Sequence, residues 1–128
     1  MKKGLFVLCF VFVCGAAHAA EWVQYAAGEE FALYYDKSSL VTTDEYNQRM
    51  SIRTVYRTPK KHPNKSASVR SLISVSEISC PKKQYRALEL TLFLTDGTTD
   101  TGPTNAQWHN ITPEMPVNKL YKMICNRP

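Results

Sequence analysis

The sequence predicts a mainly β domain of the α+β class: a single antiparallel sheet of five or six strands, with a C-terminal segment tethered by a disulfide to one face. Three observations predict it. Several stretches alternate apolar with polar residues and are rich in β-branched and aromatic side chains, the pattern of half-buried antiparallel strands. Only Cys80 and Cys125 remain once an N-terminal leader is set aside. Finally, Val117, Leu120, Tyr121 and Ile124 recur at i, i+3, i+4 and i+7, which suits a short helix near the carboxyl end.

The leader is read from residues 1–19. Lys2 and Lys3 open it, an apolar run follows from Leu5 to Val13, and Ala17-His18-Ala19 supplies the small residues of a peptidase site. A positive start, a short apolar core and an A-x-A ending define a secretory signal peptide, with cleavage expected before Ala20. The run is too short for a spanning helix, which needs about 20 residues. No later segment is long and apolar enough to cross a membrane, so the mature chain is expected to be soluble. Lipid attachment at Cys9 or Cys14 would want a small residue before the cysteine, whereas Leu8 and Val13 are bulky. The expected mature domain is 20–128, one domain's worth of chain with a single modest core.

In order, Glu21–Tyr25 is a short strand closed by Ala26-Ala27-Gly28, and Phe31–Tyr35 is an aromatic strand ending at Asp36 before the turn-prone Lys37-Ser38-Ser39. Arg49–Arg57 is the third strand, with Met50, Ile52 and Tyr56 on one face. Val69–Cys80 is the fourth; its alternation breaks once, which predicts a bulge or change of register. Pro81-Lys82-Lys83 is the tight turn of a hairpin leading into Gln84–Leu94, where Leu88, Leu90, Leu92 and Leu94 share a face. Thr58–Ser66, with two prolines and three lysines, reads as an exposed loop. Asp96–Gln107 is rich in Gly, Thr and Asp and keeps no apolar period. In the tail, Met123 and Cys125 also fit a strand, but the helical spacing is favoured.

An even cysteine pair in an oxidising compartment reads as one disulfide. Closing a loop of about 46 residues is worth roughly 4 kcal/mol in the chain-entropy model, a large share of the 5–15 kcal/mol of a typical domain. A metal pair or redox thiol is disfavoured, because no second Cys or His stands near either cysteine.

The formal charge is +5, and removing Lys2 and Lys3 with the leader lowers it to about +3. That falls short of the basic stripe of a nucleic-acid binder, so no nucleic-acid partner is expected. Arg49, Arg53 and Arg57 stand four apart on one strand and therefore share a face; Lys60, Lys61 and Lys65 follow in the loop. Such a row suits bidentate capture of carboxylates or sulfates, hence an acidic protein stretch or an anionic glycan. The competing reading pairs the arginines with Glu77 and Glu89 on neighbouring strands. A small hydrolase would have to assemble Glu77, Glu89 and His109, while His62 reads as a solvated loop residue. No nucleophile–base–acid pattern, phosphate loop or metal-spaced cluster is present, and Asp96 and Asp100 around Gly97 lack the ligand spacing of a calcium loop. No catalytic residues, metal or cofactor are therefore expected.

Taken in order, Trp22, Tyr34-Tyr35-Asp36 with Ser39-Leu40, Cys80 with Tyr85-Arg86, Trp108 with Ile111 and Pro113, and Cys125 resemble the bacterial surface-adhesin protein E-like family. Tyr56 stands about where many members carry tryptophan. The resemblance implies the same sheet with a disulfide-held C-terminal element. It also implies a Gram-negative source and a surface protein that attaches to host matrix or serum glycoproteins. The sequence thus supports an exported binding protein of the adhesin E type, in the periplasm, at the outer surface or secreted. The alternative is a soluble periplasmic structural or inhibitory module without a host ligand.

Overall fold

The computed structural model describes residues 19–125, so the leader expected over 1–19 lies outside the described residues except for its last position. The strands are β1 (Trp22–Ala27), β2 (Phe31–Asp36), β3 (Val41–Thr42), β4 (Asn47–Lys61), β5 (Ser68–Ser79), β6 (Gln84–Leu94), β7 (Thr99–Pro103) and β8 (His109–Asn110). One helix, α1 (Val117–Cys125), closes the described chain. All pairings are antiparallel in one sheet of order β1-β2-β4-β5-β6-β7, with β3 on β4 and β8 on β6. The principal path therefore has six strands, and the two additions are two-residue pairings.

Alternation decides the two faces. Met50, Ile52 and Ile78 point to the same side, where they join Tyr35, Ile111 and the helix residues Leu120 and Ile124 in one buried cluster. Leu120 and Ile78 are fully buried, and burying a leucine or isoleucine stabilises by about 1.5–3 kcal/mol. A nine-residue helix has marginal stability alone; packing on the sheet and the covalent tie hold it. Cys80 and Cys125 are bonded, with Cα atoms 5.5 Å apart, so the tail is fastened beside the β5–β6 turn. The helical spacing of Val117–Ile124 prevails over the strand reading.

The sequence predicts one irregularity, within Val69–Cys80; the structure has two along that strand and another on β1. β5 shifts register against β6 between Val69 and Ser71 and again between Val75 and Ser76. On β1 the shift falls between Gln24 and Ala26; Tyr25 shares the core side with Val23, and burial pushes its phenol up to about 12. The Pro81-Lys82-Lys83 turn joins β5 to β6 with Ser79 opposite Gln84, and Lys83 takes a positive φ of 54°.

Three segments depart from the sequence expectation. Thr58–Lys61 belongs to β4, because after a shift past Val55 the chain pairs again, Lys60 with Val69 and Lys61 with Ser68. His62 is buried, not solvated: its Nδ1 accepts the Asn64 N–H at 2.9 Å and its Nε2 lies 3.3 Å from Asp100 Oδ2. Thr99–Pro103 forms β7 despite its polar composition, because it is an edge strand with mostly solvated side chains, and the Leu90–Gly102 and Leu92–Asp100 pairs fix its register.

Candidate binding surface

Only one face of the sheet is covered by α1. The opposite face carries the odd positions of β4, and successive rows cross β4, β5 and β6 as Asn47/Ser79/Gln84, Arg49/Glu77/Arg86, Ser51/Val75/Glu89, Arg53/Ile73/Thr91 and Val55/Ser71/Phe93. The arginines predicted to share a face do so at Arg49 and Arg53, and Arg57 continues the alternation at the end of that run.

The rows differ in chemistry. Glu77 is buried and receives Arg49 on one oxygen (Nη2 at 2.6 Å, Nε at 2.9 Å) and Arg86 on the other (Nη2 at 2.7 Å, Nε at 2.9 Å). Burial alone would raise its carboxyl, but the hydrogen bonds and charges of the two guanidiniums outweigh that and hold it below the usual glutamate value. Arg49 is thus committed to the cross-strand pair expected for it. The partner that sequence reasoning missed is Arg86, whose guanidinium also stacks over Trp108 at 4.4 Å from the ring centroid. The Tyr85-Arg86 order was visible, but nothing in one dimension placed Trp108 above it.

Farther along the face, Arg53 lies over the Trp22 ring, 5.9 Å from its centroid, opposite Tyr34 of β2. Arg53 and Arg70 line an open hollow of about 310 Å³ together with Ser71, Phe93 and the Thr95–Thr98 turn. Arg70 occupies the shifted position between Val69 and Ser71, which sequence reasoning did not locate. Arg57 donates from Nε to the Gly28 carbonyl at 3.3 Å, and Lys60 is tied to Glu30 at 2.5 Å. Among the described residues, no ion pair engages Arg53, Arg57, Lys61, Lys65 or Arg70. Lys65 acts only at longer range, as the last of the influences that lower Asp96 after its bonds from Thr98.

A second open hollow, of about 410 Å³, lies at the other end of the face, lined by Glu45, Asn47, Ser79, Pro81, Lys82, Gln84 and Trp108. The residues a hydrolase would need do not converge. Glu77 and Glu89 occupy different rows of the uncovered face, whereas His109 stacks on Tyr85, which packs against the core on the helix side. Among the described residues, no group of three His, Cys, Asp or Glu side chains gathers as metal ligands would, and no helix is long and apolar enough to cross a membrane.

Fold and surface together define a small disulfide-tied sheet domain with one face covered by a helix and the other open, cationic and aromatic. The chain belongs to the surface-adhesin protein E family, whose sequence pattern matches residues 22–126, nearly all of the described region. Among curated proteins and solved structures, nothing matches it.

Proposed function

We propose that this chain is an exported, non-enzymatic adhesin that attaches to host matrix or serum glycoproteins. Its uncovered sheet face and the adjoining β4–β5 end make the contact. The observation that carries this reading is the convergence of Arg53 and Arg70 on one hollow, flanked by Arg57, Lys61 and Lys65, none of them in an ion pair. Guanidiniums free of carboxylate partners keep their forked donors for carboxylates or sulfates on a ligand. Trp22 and Tyr34 beside them supply the aromatic area typical of interface anchors. Of the six cations in the predicted row, Arg49 takes no part in binding, because buried Glu77 holds it, and Lys60 takes part only by leaving its exposed partner Glu30.

The test is solid-phase binding to laminin, vitronectin and heparin by the wild type and by Arg53→Glu, Lys60→Glu and Lys61→Glu combined. Binding should fall at least tenfold and weaken steeply with salt. Unchanged binding removes this surface from the function. Protease shaving of intact cells tests surface exposure: a protein untouched by protease supports a periplasmic module instead.

A further inference from the structure

The structure assigns a second ligand site, for a neutral sugar, to the hollow beneath Trp108 at the far end of the same face. By strand rise, Asn47 and Arg53 are about 20 Å apart, with the Arg49–Glu77–Arg86 row, whose guanidiniums are both engaged by one carboxylate, between them. The hollow is therefore separate from the cationic surface proposed above.

Its lining specifies the ligand class. Glu45 and Lys82 contribute one charge of each sign, so the lining itself carries no net charge. The apolar lining is limited to Pro81 and Trp108, too little for a lipid. The remaining groups are an amide, a hydroxyl and a second amide: Asn47, Ser79 and Gln84. Amides and hydroxyls both donate and accept, as sugar hydroxyls do. Asn47 is only 6% exposed, yet among the described residues its side chain forms no hydrogen bond, although its backbone N–H donates to Thr43 Oγ1 at 3.2 Å. Among the described residues the one buried side-chain atom without a partner is Asn118 Oδ1, so the Asn47 amide reaches the open space of the hollow, where a ligand hydroxyl would meet it. Gln84 is prepositioned, its Nε2 donating to Asn110 Oδ1 at 2.9 Å.

Trp108 supplies the platform. Arg86 covers one face of the indole, and the hollow meets Trp108 without meeting Arg86. The part of Trp108 that borders the hollow would take the C–H groups of a pyranose. Tyr46, between the lining residues Glu45 and Asn47, is 75% exposed and held at a φ of 64°. That conformation is unusual for a large aromatic residue, and it falls in the turn that brings Glu45 and Asn47 to the hollow, although Tyr46 itself does not line it. The volume falls at the low end of small-molecule sites, about 300–1,000 Å³.

The experiment is an NMR titration of the purified, disulfide-bonded protein with galactose, mannose, N-acetylglucosamine and lactose, and with sialyllactose as the anionic comparison. At least one neutral sugar should shift the Asn47 and Gln84 side-chain amides and the Trp108 indole N–H, with millimolar affinity. Gln84→Ala and Trp108→Leu should each weaken that binding about tenfold or more, while their remaining backbone signals report an intact fold. The combined Arg53, Lys60 and Lys61 charge reversal should leave it within about twofold, which separates this site from the cationic surface. The assignment is overturned if none of the neutral sugars shifts these signals, if shifts map elsewhere, if sialyllactose alone binds, or if the folded Gln84 and Trp108 variants bind like wild type.

Discussion

Replacing Glu77 by glutamine should destabilise the protein strongly and remove part of its sensitivity to acid. The carboxylate is 2% exposed and satisfies two guanidiniums with four contacts of 2.6–2.9 Å. Breaking a buried pair by removing one partner costs about 3–5 kcal/mol. The two arginines are not equally buried, however: their side chains are 47% and 26% exposed, so both can recover part of their hydration. About 2–3 kcal/mol is the expected loss, enough to lower the transition midpoint plainly in urea unfolding followed by tryptophan fluorescence. The pH dependence has a definite sign. Glu77 is depressed in the folded state, so its contribution is present above the ordinary glutamate value and is lost as pH falls through the lower folded value. Wild type should therefore lose stability relative to Glu77→Gln across that acid window, and the two should differ most near neutrality. A variant within about 0.5 kcal/mol of wild type at neutral pH, or an acid limb identical in both, would refute the reasoning.

Other consequences are smaller in scope. Cys80→Ser with Cys125→Ser should cost roughly 3–4 kcal/mol by the loop-entropy argument, read as a lower thermal midpoint that reducing agent does not lower further. Leu120→Ala, at a fully buried helix position, should cost about 2–5 kcal/mol and expose the core face to a hydrophobic dye. Asp36→Ala should cost about 1–2 kcal/mol, because Oδ1 accepts from Glu21 N, Ser38 N and Ser38 Oγ; hydrogen exchange should quicken at the start of β1 before it does in β5.

The sequence carried the fold well where burial is one-sided. Alternation at Met50 and Ile52 located a central strand, the break in alternation within Val69–Cys80 marked a real change of register, and the Val117–Ile124 spacing gave the helix. It failed where structure depends on pairing instead of burial. Thr99–Pro103 has no apolar face to display, and Lys60 and Lys61 pair as strand although their composition is that of a loop. The binding surface was half legible. Three arginines on one strand could be seen to share a face, but their fates could not: Arg49 meets Glu77 across β5, Arg53 meets Trp22 across β2, and Arg70 reaches the face only because β5 slips by one residue. The hollow beneath Trp108 draws residues from three separate stretches of chain, and no local spacing encodes it.

The position of the helix has a consequence for biogenesis. Every strand precedes it, and a polypeptide emerges amino end first. Until residues 117–125 arrive, the side of the sheet bearing Tyr35, Met50, Ile52 and Ile78 has no cover, and Cys80 has no thiol to join. The apolar side of the sheet therefore stays uncovered until the last described residues are in place, and the Cys80–Cys125 bond latches a one-layer structure whose closure comes late.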